Sequence, residues 1–152
     1  GHQDDQGRWV TPRHAVATKG YKAGQEVLEE YLAAYPTRLR ETGTPEEVAP
    51  YVTSGFSPAR GLDVPDGGYT VLVSNVIGKV TPHTWAHQGE ADTVELDACI
   101  RNEAYAYDAQ GEELPAEPDG SATKATYRYT LRSGDHGTTW KIAPEEEVKP
   151  SC

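Results

Sequence analysis

The chain reads as an α+β domain: a long N-terminal helix plus short helices packed on a strongly curved antiparallel sheet. Three observations predict this class. Apolar residues recur at three- and four-residue spacing from residue 14 to about residue 40. From Tyr69 onward the apolar period drops to two. The strand-like runs then follow one another through short polar connections, the ordering of a meander sheet.

Taken in order, residues 1–13 (GHQDDQGRWVTPR) are polar and carry Gly and Pro. They read as a tether ahead of a single domain spanning 14–152, with Trp9-Val10 as a clip onto its surface. The chain lacks methionine, and Gly1-His2 resembles the remnant of a cleaved tag, so a processed or truncated protein is expected. Tyr21, Gly24, Val27, Leu28, Tyr31 and Leu32 begin the buried stripe of the first helix, and Tyr35 and Leu39 extend it. Lys22, Gln25, Glu26, Glu29 and Glu30 fall opposite. Pro36 lacks an amide donor and clashes with the preceding turn, so the helix stops near Tyr35 or kinks there.

Thr44-Pro45-Glu46-Glu47 has the form of a capping box opening a short helix that Pro50 interrupts and Ser54-Gly55 ends. Val48, Tyr51, Val52 and Phe56 would face the core. Pro65-Asp66-Gly67-Gly68 predicts a sharp reversal into the sheet. A β-rich run from Tyr69 to Val80 carries Gly78 as a bend or bulge, and Pro82 to Gln88 continues it. In the next strand Val94, Leu96, Ala98 and Ile100 share one face; Glu95, Asp97, Cys99 and Arg101 share the other. Tyr105 and Tyr107 extend that second face unless a bulge near Asn102-Glu103 flips the register. A polar loop over 108–120 leads to a strand in which Ala125, Tyr127, Tyr129 and Leu131 alternate with Lys124, Thr126, Arg128 and Arg132. The turn at 133–137 then leads to a last strand marked by Trp140 and Ile142, and the acidic tail PEEEVKPSC returns toward Cys99.

At 152 residues the chain suits one core. Fourteen Lys and Arg against 24 Asp and Glu give a formal net charge of −10, which argues against nucleic acid and anionic membranes as partners. No apolar run approaches the ~18 residues of a membrane span. Cys99 lies mid-strand and Cys152 ends the chain. Two thiols make a weak metal site, and a terminal thiol suits a nucleophile poorly. A disulfide pinning the tail to the central strand is the economical reading, contributing about 4 kcal/mol in the chain-entropy model. It implies an oxidising, extracytoplasmic location.

A helix, short helices and four long strands resemble the nuclear transport factor two-like fold, a cone-shaped α+β barrel of cystatin-like type. The C-terminal half is more similar to secreted or lipid-anchored members from high-GC Gram-positive bacteria. The residues that carry this likeness are Asp97-Ala98-Cys99, Tyr105, Tyr107-Asp108-Ala109-Gln110-Gly111, Trp140 and Cys152. The resemblance implies a curved sheet, the Cys99–Cys152 disulfide, and either a binding and assembly role or small-molecule isomerase or cyclase chemistry.

Two constellations stand out. His83 and His87 lie four apart, a metal-pair spacing on a helix, but Pro82 and the β-rich surroundings place them on a strand with exposed rings. The resemblance to the fold's isomerases and dehydratases makes Asp97, Tyr105 and Tyr127 a candidate acid/base set, with the phenols polarising a carbonyl. Trp85, Tyr105, Tyr107, Tyr127, Tyr129 and Trp140 are the candidate binding surface. No phosphate-cradling glycine motif, nucleophile elbow or repeated C-x-x-C is present, so neither cofactor nor metal is expected. The best reading is an exported, non-enzymatic module with an assembly, immunity or envelope role that binds a protein partner or forms a homodimer. The alternative is a small-molecule isomerase or cyclase using an acid/base residue in the cone pocket, where a small hydrophobic ligand would sit.

Overall fold

A computed structural model describes residues 2–3, 9–10, 12–58, 64–88, 91–115, 122–135 and 138–152. Near the N-terminus β1 (His2–Gln3) and β2 (Trp9–Val10) form a two-stranded antiparallel ladder. Helix α1 (Pro12–Ala34) follows, then β3 (Arg38–Leu39) and a 3-10 helix (Glu46–Tyr51). Four long strands complete the chain: β4 (Tyr69–Gln88), β5 (Ala91–Tyr107), β6 (Ala122–Ser133) and β7 (Lys141–Lys149). They form one antiparallel sheet in the order β3-β4-β5-β6-β7. The sheet curls into a half-barrel around α1, as the α+β reading anticipates.

The helix ends where proline requires. Ala34 is its last residue, and Leu39 lies on β3 instead of extending the helical stripe. It is buried all the same, together with Leu28, Tyr31, Leu32 and Tyr35. Gly20 and Gly24 bring the helix axis close to the sheet. A methyl group at Gly24 would stand 3.3–3.5 Å from Val94, Leu96 and Leu131, and one at Gly20 would stand 3.2 Å from Val94 and 3.4 Å from Trp140.

The expected capping box does not form. The short helix is 3-10, starts after Pro45, and has no side-chain cap; the Thr44 hydroxyl donates instead to the Phe56 carbonyl at 2.9 Å. That bond closes the loop around the helix, and Pro50 keeps the helix too short for an α-helical ladder. Val48, Val52 and Phe56 are buried as anticipated. The segment then docks on the edge of β7, where Thr53 N–H donates to the Ile142 carbonyl at 2.9 Å and Val52 bridges Ile142.

The reversal at 65–68 forms with Gly68 N–H bonded to the Pro65 carbonyl at 3.0 Å and Gly67 at a φ of 74°. Gly68 has no alternative: a Cβ there would lie 2.1 Å from the Tyr107 carbonyl oxygen. Beyond it β4 runs unbroken, with register shifts between Leu72 and Ser74, Ile77 and Val80, and Pro82 and Thr84. The second is the bulge anticipated at Gly78. The first sits level with Glu103 but on β4, so β5 keeps its alternation against β6 from Asp92 to Glu103. Pro82 is tolerated inside β4 because, among the described residues, no strand lies on its other side beyond the two residues of β3. The acidic tail is itself strand: β7 continues to Lys149, and a register shift between Tyr129 and Leu131 turns both Ile142 and Glu145 inward.

Candidate functional site: the open face of the sheet

Alternation on β5 and β6 divides the sheet into two surfaces. Val94, Leu96, Ala98 and Ile100 face α1 and are buried, as are Ala125, Tyr127, Tyr129 and Leu131 opposite them. The intervening residues form a second face that α1 does not cover. There Asp97 pairs with Arg128 across the ladder, accepting from Nε at 2.8 Å and from Nη2 at 3.1 Å. This fork-like hydrogen bonding from Arg128 holds the Asp97 carboxyl below the ordinary aspartate range, against the opposing effect of burial. Thr84 donates to Glu95 on the same face, and Tyr105 donates to Glu103 at 2.6 Å.

The middle of this face carries the disulfide between Cys99 and Cys152, with Cα atoms 5.8 Å apart. Gly78 lies against Cys99 and sets no side chain beside the bridge; a Cβ there would stand 3.7 Å from the Cys99 sulfur. The tail is held by a second contact, Thr126 Oγ1 donating to the Ser151 carbonyl at 2.9 Å. At one end of the sheet Tyr69 stacks on Tyr107 with centroids 5.0 Å apart. Arg38 lies 4.6 Å above the Tyr69 ring and Arg40 5.8 Å from it. The adjoining turn is organised by Asp108, whose Oδ1 accepts from the amides of Gln110 and Glu112, each at 2.9 Å. Val73 and Val76 on β4 are 59% and 54% exposed.

The sequence-derived site residues separate onto the two faces. Asp97, Tyr105 and Tyr107 lie on the open side, half-buried. Tyr127, Tyr129 and Trp140 are buried in the core, and Trp85, opposite Val94, packs against it. The structure therefore brings Asp97 to Arg128 rather than to Tyr127. His83 and His87 both fall on β4, where an extended chain spreads residues four apart by ~13 Å. His14 is on α1, and His136 lies outside the described residues. Among the described residues no three His, Cys, Asp or Glu side chains converge as a metal site would require. No helix among them is long and apolar enough to cross a membrane.

One polar cluster was not foreseen. Glu145 is 5% exposed and sits beneath the helix, its Oε2 accepting from Tyr129 at 2.7 Å and from Tyr31 at 3.2 Å. The Tyr31 and Tyr35 hydroxyl oxygens lie 3.4 Å apart, so Tyr31 accepts from Tyr35 while it donates to Glu145, and its ring meets those of Tyr35, Phe56 and Tyr129 edge-on. The available signal was Pro144: a proline inside a strand marks a bulge, and a bulge shifts which of three successive glutamates turns inward.

Compared with protein-family models, with curated proteins and with solved structures, the chain matches none.

Proposed function

We propose that this chain is an exported, non-enzymatic protein-interaction module of the nuclear transport factor two-like type, and that it takes its partner on the open face of the sheet. The observation that carries the reading is the two-sidedness of that sheet. One face is spent on packing α1, while the other presents half-exposed polar, charged and aromatic side chains from β4, β5, β6 and β7. A broad surface of mixed polar and aromatic groups suits a protein partner better than a small ligand. The disulfide supports an oxidising location and anchors the tail on the same surface.

The isomerase or cyclase alternative draws less support. A carboxyl group held ionised by Arg128 is a weak base near neutral pH, and Tyr127 lies on the opposite face. Glu145 is desolvated, but the phenols around it are themselves buried and serve the packing of α1.

The test is a pull-down from culture supernatant with the purified protein as bait, beside a Thr130→Trp variant that places a bulky ring mid-face. A stoichiometric protein retained by the wild type and lost from the variant is the expected result. Recovery of a small hydrophobic molecule, or of a protein indifferent to the variant, overturns the reading.

A further inference from the structure

Charge is distributed unevenly over this acidic molecule. Strand β6 holds no Asp or Glu, and its outward positions read Lys124, Thr126, Arg128, Thr130, Arg132. Of its three cations Arg128 is answered by Asp97. Lys124 instead stands directly opposite Arg101 in the ladder, and Arg101 stands directly opposite Val76. That row runs across β4, β5 and β6 with two exposed cations, a 54%-exposed valine and no carboxyl group. A second cationic pair, Arg132 opposite Lys141, is likewise exposed. Like charges directly opposite one another destabilise a sheet, and the next carboxyl group along this face of β5, Glu103, already accepts from Tyr105 at 2.6 Å.

Resting on the open-face reading above, we propose that the partner presents an extended acidic segment, whose carboxylates dock on the Val76–Arg101–Lys124 row. The arginine offers a planar fork for a carboxylate, the lysine a second point charge, and Val76 an apolar contact beside them. The row crosses three neighbouring strands, ~10 Å, the length of about three extended residues, and lies beside Thr126, which holds the tail at Ser151. With a net charge of −10 the molecule as a whole repels such a segment. Binding therefore reports this local row and not the overall field.

The experiment titrates a labelled ten-residue poly-L-glutamate peptide by fluorescence anisotropy at about 50 mM salt, with thermal melts of every variant in parallel. The wild type is expected to bind, with affinity falling about tenfold or more by ~300 mM salt. The R101Q/K124Q double variant is expected to lose at least about tenfold in affinity without a lower thermal midpoint, since it relieves repulsion. Glu29→Gln on the far side of α1 leaves binding unchanged. Absence of binding by the wild type, or equal binding by R101Q/K124Q, overturns the proposal. A partner from the pull-down that Thr130→Trp blocks but R101Q/K124Q does not leaves the open face standing and removes the acidic segment. A partner indifferent to both removes the two together.

Discussion

Glu145 and Asp135 show what single carboxyl groups do in this fold. Glu145 supplies one oxygen to the hydroxyls of Tyr31 and Tyr129. Glu145→Ala withdraws that acceptor from a buried site and should cost about 2–3 kcal/mol. Glu145→Gln keeps an acceptor oxygen and should cost about 1 kcal/mol, both read from urea denaturation midpoints. Asp135 instead shapes the turn after β6, accepting from Ser133 Oγ at 2.7 Å and from Thr139 N–H at 2.8 Å. Those bonds lower its pKa from 3.8 to about 2, and Arg128 lowers that of Asp97. Both aspartates are thus depressed in the folded state. Their stabilisation is complete above the ordinary aspartate value and disappears as pH falls through the folded values. Denaturation midpoints should be level down to about pH 5 and fall between about pH 4 and pH 2, less steeply in Asp135→Asn.

Among elements, the contact of α1 with the sheet depends on two glycines. Gly24→Leu forces a side chain into the 3.3–3.5 Å spaces before Val94, Leu96 and Leu131 and should cost about 1–3 kcal/mol in a denaturation experiment. The period of the helical stripe made α1 legible, and Pro36 located its end. The alternation of β5 and β6 was equally plain, because one buried face imposes a strict period of two. What stayed hidden was long-range. Thr44 has the sequence of an N-cap, yet its hydroxyl is taken by Phe56, a partner twelve residues away that local pattern does not reveal. Tyr127 looked like a neighbour of Asp97 only while the pairing of β5 with β6 was unknown. In register, Tyr127 faces Ala98 and Arg128 faces Asp97. The opposition of Arg101 and Lys124 was invisible for the same reason.

Across the whole molecule, the sheet has two borders and treats them differently. The edge of β7 is met at Ile142 by Val52 and Thr53, just after the 3-10 helix, and β4 carries three register shifts, Lys79 and Pro82, features that discourage strand addition. The disulfide ties residues 53 apart and carries the tail back over β6. Reduction, or Cys152→Ser, should lower stability by about 4 kcal/mol in the chain-entropy model, while far-ultraviolet circular dichroism keeps its folded shape. Leaving the tail untied should also alter the open face, the surface proposed to take the partner. Hydrogen exchange on the protein alone and bound to its captured partner tests that placement most directly. Slower exchange along β4, β5 and β6 on binding, with α1 unchanged, is the predicted result; protection confined to α1 and the 3-10 helix would contradict it.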